Sequence, residues 1–70
     1  MFKLLDIVRL KEDDLEVGVK KTYTGTIVDV LGNGEAFTVE FIDENGDMIE
    51  KAIMKEYTAD QLILVESYNE

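Results

Sequence analysis

The chain has 70 residues, and its 16 acidic side chains against seven basic ones give a formal net charge of −9 at pH 7. It contains no cysteine and no histidine, which excludes a disulfide framework and the usual zinc sites. A chain this short builds one core, so we expect a single domain over residues 1–70, with residues 66–70 as a frayed tail. The apolar run after Met1 is too short for a signal peptide, and no stretch reaches the roughly 20 apolar residues that span a bilayer. We therefore expect a small cytoplasmic protein.

The negative net charge restricts the class of partner that this protein can bind. A field of one sign on so small a surface repels phosphate backbones and anionic lipids, so we expect neither nucleic acid nor a membrane as partner. Two explanations of the charge stay open: it serves solubility, or it complements a basic protein partner. Disorder is disfavoured because 46% of the residues are hydrophobic and they follow a pattern.

Alternation of apolar and polar side chains predicts short strands. Residues 37–41 alternate without interruption, which is typical of a half-buried strand. Residues 23–30 are rich in β-branched side chains, but their alternation breaks, which predicts a bulge or a sharp bend near Val28 and Asp29. Gly25 would let a neighbouring strand approach closely. The five predicted strands are residues 6–10, 23–30, 36–42, 48–55 and 62–65.

The connections between these segments carry turn signals. The pair Asn45-Gly46 predicts a two-residue type I′ hairpin turn with both residues at positive φ. Residues 58–61 predict one helical turn before the last strand. Residues 11–21 are too polar for a buried strand and too poorly periodic for a helix, so we interpret them as a long loop with Leu15 and Val17 directed inward.

Five short strands, a long first loop and a helical turn before the last strand predict an all-β fold, a small five-stranded SH3-like barrel. An oligonucleotide-binding-type barrel is the alternative, but the helix between its third and fourth strands has no room in this chain. Most of the predicted core consists of apolar side chains on one face of each strand. These are Val8, Leu10, Ile27, Val30, Phe37, Val39, Phe41, Ile53, Leu62 and Val65.

The sequence contains no complete catalytic or metal-binding motif. A calcium loop that starts at Asp43 would need glycine at its sixth position and glutamate at its twelfth, whereas glycine comes fourth and Met54 stands twelfth. A nucleophile would have to be an activated serine, threonine or lysine, and the only serine, Ser67, lies near the end of the chain. We therefore predict no catalytic residue, no metal, no cofactor and no enzymatic activity.

Two acidic loops are the candidate recognition elements. Both carry more charge than a turn requires, and function tends to collect on loops that a rigid scaffold positions. The alternative interpretation is that these acids form a solvated surface. The predicted partner-binding residues are Glu12, Asp13, Asp14, Glu16, Asp43, Glu44 and Asp47.

Three stretches, residues 1–10, 25–30 and 34–43, carry a resemblance to a known family. Together they resemble a family of short bacterial proteins described as a domain of unknown function (four-nine-two-six), over about residues 1–65. The resemblance implies an SH3-like barrel, related in shape to KOW modules of ribosomal proteins and transcription factors and to the nitrile hydratase β subunit. Family members often look like the small partner of a neighbouring gene product, which suggests an antitoxin or immunity role. No functional residue carries over from the family.

Two other functions stay open. A KOW-type module would bind nucleic acid, which needs clustered Lys and Arg side chains, and this chain offers only Lys20-Lys21 and the pair Lys51 and Lys55. The second of these functions is that of a structural or assembly subunit of a larger complex. The first expectation is nonetheless a non-catalytic module that binds a basic protein.

Overall fold

The computed structural model describes residues 1–68, which form one antiparallel sheet of five strands in the order β4-β3-β2-β1-β5. The predicted all-β fold with a short helical turn before the last strand is confirmed, whereas the relation to SH3-like barrels stays a prediction. The elements are β1 (Ile7–Leu10), β2 (Gly25–Leu31), β3 (Ala36–Phe41), α1 (Glu50–Ile53), β4 (Glu56–Tyr57), a 3₁₀ turn (Ala59–Gln61) and β5 (Leu62–Glu66).

The centre of the sheet supplies the core. The alternating side chains of β3 behave as predicted, because Phe37, Val39 and Phe41 are fully buried while Glu40 is exposed. Seven of the ten predicted core residues are buried. Val30 and Ile53 are only half-buried, and the prediction for Val65 is wrong, since 48% of it is exposed at the outer strand of the sheet.

Among the described residues, three buried hydrophobic side chains lie outside the predicted core: Val19, Ala52 and Tyr57. Val19 stands in the polar stretch for which the sequence predicts a long loop with only Leu15 and Val17 directed inward. Ala52 and Tyr57 come from the segment between β3 and β5, and the Tyr57 ring packs edge-to-face on Phe41 with ring centroids 5.7 Å apart. The core is therefore completed by connections, and not only by strands.

The predicted bulge in β2 is confirmed. Ile27 pairs with Val39 and Asp29 pairs with Thr38, so Val28 is left without a partner in the register and lies 39% exposed. The extra residue shifts the alternation of β2 by one position, which lets its two halves face the core with different residues.

The predicted fourth strand, residues 48–55, is wrong. Only Met48 pairs there, through an isolated bridge to Ile42, and the chain then forms helix α1 with Ala52 buried against the core. The strand β4 is two residues long and pairs with Phe37 and Thr38 of β3. Glu, Lys, Ala and Met are good helix formers, and this local preference prevails over an alternation that placed apolar residues on both faces.

The predicted type I′ turn at Asn45-Gly46 is also wrong. Among the described residues only Gly46 of this pair has positive φ, at 83°. The Asp43 carboxylate accepts hydrogen bonds from the backbone N–H groups of Asn45 (2.8 Å) and Asp47 (3.0 Å). An aspartate that holds two following N–H groups stabilises a wider turn, which the dipeptide signal alone does not reveal.

The first residues lie over one end of the core. Phe2 packs edge-to-face on Phe37 with ring centroids 5.7 Å apart, whereas Leu5 has positive φ (72°) and is 43% exposed. The buried Asp6 carboxylate accepts the N–H groups of Lys3 (2.9 Å) and Tyr68 (3.2 Å), which ties the two ends of the described chain together.

The predicted frayed tail covers residues 66–70. Glu66 belongs to β5, and the hydroxyl of Ser67 lies 3.4 Å from the Asp6 carboxylate. Asn69 and Glu70 lie outside the described residues. No helix within residues 1–68 is long and apolar enough to cross a membrane.

Gly25 provides a test of the packing between β2 and β3. A Cβ atom at this position would stand 2.6 Å from Val39 Cγ1 and 2.7 Å from Phe41 Cδ1. We expect Gly25→Ala to lower the free energy of unfolding by about 1–3 kcal/mol, because the core is overpacked there. Urea denaturation measures the change, with Thr26→Ala as the neighbouring control. An unchanged denaturation midpoint for Gly25→Ala would contradict the close approach.

Candidate functional site

The long loop, defined here as residues 11–24, folds back on the sheet. The N–H of Asp14 donates to the Val19 carbonyl at 2.7 Å, and the N–H of Val19 donates to the Asp14 carbonyl at 2.9 Å. Gly18, at φ 78°, allows the chain to reverse between them. This small hairpin directs Val19 into the core and packs Val17 against it, while Leu15 is 75% exposed, so the predicted inward position of Leu15 is wrong.

A polar cluster fixes the loop to the other side of the domain. The Asp14 carboxylate accepts a hydrogen bond from the Tyr57 hydroxyl at 3.0 Å and from the Lys55 ammonium at 2.7 Å. The same ammonium donates to Glu16 at 3.2 Å. Only 16% of the Asp14 side chain is exposed, compared with 82% for Glu16. Asp14 is therefore an anchor of the loop.

The pKa shifts follow from these contacts. The hydrogen bond from Lys55 lowers the pKa of Asp14, and the bond from Tyr57 lowers it further against the opposing effect of burial. The hydrogen bond to Asp14 raises the pKa of Lys55. Burial, followed by the hydrogen bond to Asp14, raises the pKa of Tyr57. At neutral pH the cluster thus contains a carboxylate, an ammonium and a neutral phenol, each in the state that its hydrogen bonds require.

The long loop and the 3₁₀ turn enclose a groove of about 430 Å³ between them. Four carboxylates and two lysines line it, so its lining carries an excess of negative charge. We call this feature the acidic groove. Its lining residues are Leu10, Lys11, Glu12, Asp13, Asp14, Lys55, Tyr57, Asp60 and Gln61.

Both walls of the acidic groove are held by local hydrogen bonds. On the loop side, the Asp13 carboxylate accepts the backbone N–H of Lys21 at 2.8 Å. On the other side, the N–H of Thr58 donates to the Gln61 side chain at 2.9 Å, and its hydroxyl contacts Asp60. The bond from the Thr58 hydroxyl lowers the pKa of Asp60. The groove acids therefore stand on backbone whose conformation is fixed.

The second predicted recognition loop is the hairpin tip, defined here as residues 43–47. Asp43 directs its carboxylate to the tip's own backbone, as described above. The interaction of the Tyr23 hydroxyl with the Glu44 carboxylate raises the pKa of Tyr23 to about 12 and lowers that of Glu44. Asp47 is exposed. A shallow hollow beside the tip, about 450 Å³ in volume, shares no lining residue with the acidic groove.

The predicted binding residues therefore divide into two sets. The structure gathers Glu12, Asp13 and Asp14 at the acidic groove and brings Glu16 to Lys55 beside it. The remaining three, at the hairpin tip, form a separate set. Whether either set contacts a partner stays a prediction.

Sequence reasoning missed the contribution of the segment after α1. Lys55, Tyr57 and Asp60 line the acidic groove although each lies at least 41 residues after Asp14. Threonine before the helical turn predicts where that turn begins, but nothing in the sequence pairs it with the long loop. Within residues 1–68, no group of three or more acidic, histidine or cysteine side chains is placed to hold a metal ion.

The anchoring role of Asp14 predicts a pH-dependent stability. At pH 7, Asp14→Asn should lower the free energy of unfolding by about 1 kcal/mol, because the amide cannot pair with the Lys55 charge. The folded-state pKa of Asp14 lies below its ordinary value of 3.8. Its contribution is therefore present in full above pH 3.8 and is lost as the pH falls through the folded-state pKa.

Urea denaturation of both proteins between pH 7 and pH 2 measures this difference. The gap between wild type and Asp14→Asn should close at the acidic end. The exposed Glu12→Gln serves as the matched control and should change the stability little at either pH. A gap that stays constant down to the lowest pH would contradict the assigned ion pair.

Comparison with known proteins identifies a family that this chain matches. The family described as "Domain of unknown function (DUF4926)" matches residues 4–64, a range that includes both walls of the acidic groove and the hairpin tip. No curated protein and no solved structure matches the chain. The match confirms the resemblance found in the sequence and covers most of the chain, so the protein belongs to this family of unknown function.

Proposed function

We propose that this protein is a small, acidic, non-catalytic module that binds a basic protein partner, as an antitoxin or immunity protein that neutralises the product of a neighbouring gene. The observation that supports the proposal most directly is the acidic groove. Four carboxylates lie there on two walls that are each fixed by hydrogen bonds.

Rigidity supports a binding role for the acids. Ordering a mobile loop on binding costs free energy, so a loop that is already ordered binds more favourably. Here the hydrogen bonds from Tyr57 and Lys55 to Asp14 hold the loop before any partner arrives. The net charge of −9 adds a long-range field that attracts a basic protein and orients its approach.

The surroundings of the charged groups also favour binding over catalysis. Asp14 and Lys55, the most enclosed ionic pair of the groove, bond to each other. The hydrogen bond from Lys55 stabilises the ionised carboxylate and lowers the pKa of Asp14. A general acid or base at neutral pH needs a pKa shifted toward 7, which is the opposite direction for a carboxyl group.

A nucleic-acid partner has less support. The Lys55 ammonium is already bound by two carboxylates and has little left to offer a phosphate. A role as a structural subunit differs from the proposal in one measurable respect. Assembly through a permanent interface would be driven by apolar contacts and would depend weakly on salt.

The test is the association rate with the protein that co-purifies with this one from its native host. We expect the rate constant to fall steeply as salt is raised, because salt screens the attraction between the two charged surfaces. The double reversal Glu12→Lys/Glu16→Lys should lower the association rate constant at low salt by about tenfold or more, with a smaller effect on dissociation.

A matched control variant separates the effect of where the charges lie from the effect of the net charge on the association rate. Asp29→Lys/Glu40→Lys makes the same change in net charge at two exposed acids in the strands, away from the acidic groove. It should slow association less than the loop variant does. An association rate that is independent of salt, or tight binding to duplex DNA or RNA, would contradict the proposed function.

A further inference from the structure

Two large apolar side chains close to the acidic groove in the chain are much more exposed than most other large apolar side chains of the domain. Met54 is 85% exposed and Leu15 is 75% exposed, values exceeded only by Met1 among the exposed large hydrophobic residues of the described chain. Isolated exposed apolar residues are ordinary, whereas neighbouring ones at a charged site indicate a contact surface.

The ion pairs join the two segments that carry these residues. Leu15 stands between Asp14 and Glu16 in the chain, and both of these acids bond to the ammonium of Lys55. Met54 immediately precedes Lys55. The segment that carries Met54 is therefore held against the loop apex that carries Leu15.

The adjoining acidic groove has unused hydrogen-bond acceptors. Asp13 uses its Oδ1 for the N–H of Lys21, and Asp60 uses its Oδ1 for the Thr58 hydroxyl. Both residues line the groove, Asp13 from the long loop and Asp60 from the 3₁₀ turn. An ionised carboxylate offers about four lone-pair sites, so each keeps acceptor capacity for a partner. The Glu12 carboxylate is exposed on the same rim.

From this arrangement we infer that the domain binds an extended basic and apolar segment of its partner, with an arginine side chain in the acidic groove and an apolar side chain on Leu15 and Met54. This inference rests on the proposed function and specifies the chemistry of the partner. A guanidinium group offers several planar donors and can bridge carboxylates on two walls, which an ammonium group does less well.

Other occupants fit less well. A second copy of this chain carries the same net charge of −9, so two acidic grooves repel each other. An acidic or phosphorylated segment is repelled for the same reason. A purely apolar segment would leave the acidic rim without counter-charges. Charge complementarity therefore favours a segment that is basic and apolar together.

The first experiment uses defined peptides and the isotopically labelled wild-type protein. The probe is a short glycine-rich peptide that contains arginine and leucine. One control peptide has citrulline in place of arginine, and another has serine in place of leucine. We expect saturable amide shifts at Glu12, Asp13, Leu15, Met54 and Asp60. Each control peptide should bind about tenfold more weakly, because citrulline lacks the charge and serine lacks the apolar contact.

The second experiment tests the apolar pair in the protein. Leu15→Gln/Met54→Gln should weaken binding of the arginine–leucine peptide about tenfold and leave the amide spectrum of the sheet unchanged. The control Leu64→Gln/Val65→Gln changes two half-exposed residues on the outer strand β5. It should leave peptide affinity unchanged.

The outcomes separate this inference from the proposed function. Shifts of equal size at Glu44 and Asp47 of the hairpin tip would mean that net charge alone attracts the peptide, and the inference would be wrong. Equal affinity of the citrulline peptide, or an unchanged affinity of Leu15→Gln/Met54→Gln, would also overturn it. The proposed function fails separately, through a salt-independent association with the full partner.

Discussion

The rest of the site depends on two hydrogen bonds that the Asp14 carboxylate accepts, one from the Tyr57 hydroxyl and one from the Lys55 ammonium. Asp14 belongs to the long loop near the start of the chain, and its two donors belong to the segment around β4. The bond therefore connects parts of the domain that are 41 and 43 residues apart. All three residues line the acidic groove, and their contact holds the loop in the conformation that buries Val19.

This arrangement resolves a conflict in the charge distribution. Four of the five residues from Glu12 to Glu16 are acidic, and their mutual repulsion favours an open loop. The ammonium of Lys55 lies between Asp14 and Glu16 and offsets part of that repulsion, while Tyr57 supplies a neutral donor from the core. The structure thus keeps Glu12 and Asp13 at the surface without losing the order of the loop. An acidic surface on a rigid loop is what the proposed binding of a basic partner requires.

Local patterns predicted the parts of the fold that depend on neighbouring residues in the sequence. The alternation of β3 and the break near Val28 each follow from the side-chain period of a strand. Residues 48–55 were predicted incorrectly because their apolar residues suit either a helix or a strand, and the helix preference of Glu, Lys, Ala and Met outweighs the alternation while Ala52 enters the core. The turn at Asn45-Gly46 depends on the side chain of Asp43, which a dipeptide signal ignores. The acidic groove was beyond prediction for a simpler reason: in the sequence Asp14 does not differ from Asp13, and the distant Tyr57 and Lys55 distinguish them by bonding to Asp14.

Amide hydrogen exchange at Val19 tests most directly whether the long loop is held by Asp14. The Val19 N–H donates to the Asp14 carbonyl, so its protection reports on the loop hairpin itself. The measurement compares wild type with Tyr57→Phe, which removes the hydroxyl and keeps the ring that packs on Phe41. The account predicts a protected Val19 amide in the wild type, and a loss of protection in the variant that exceeds the loss at the amides of β3. An unprotected Val19 amide in the wild type, or an equal loss at both places, would contradict it.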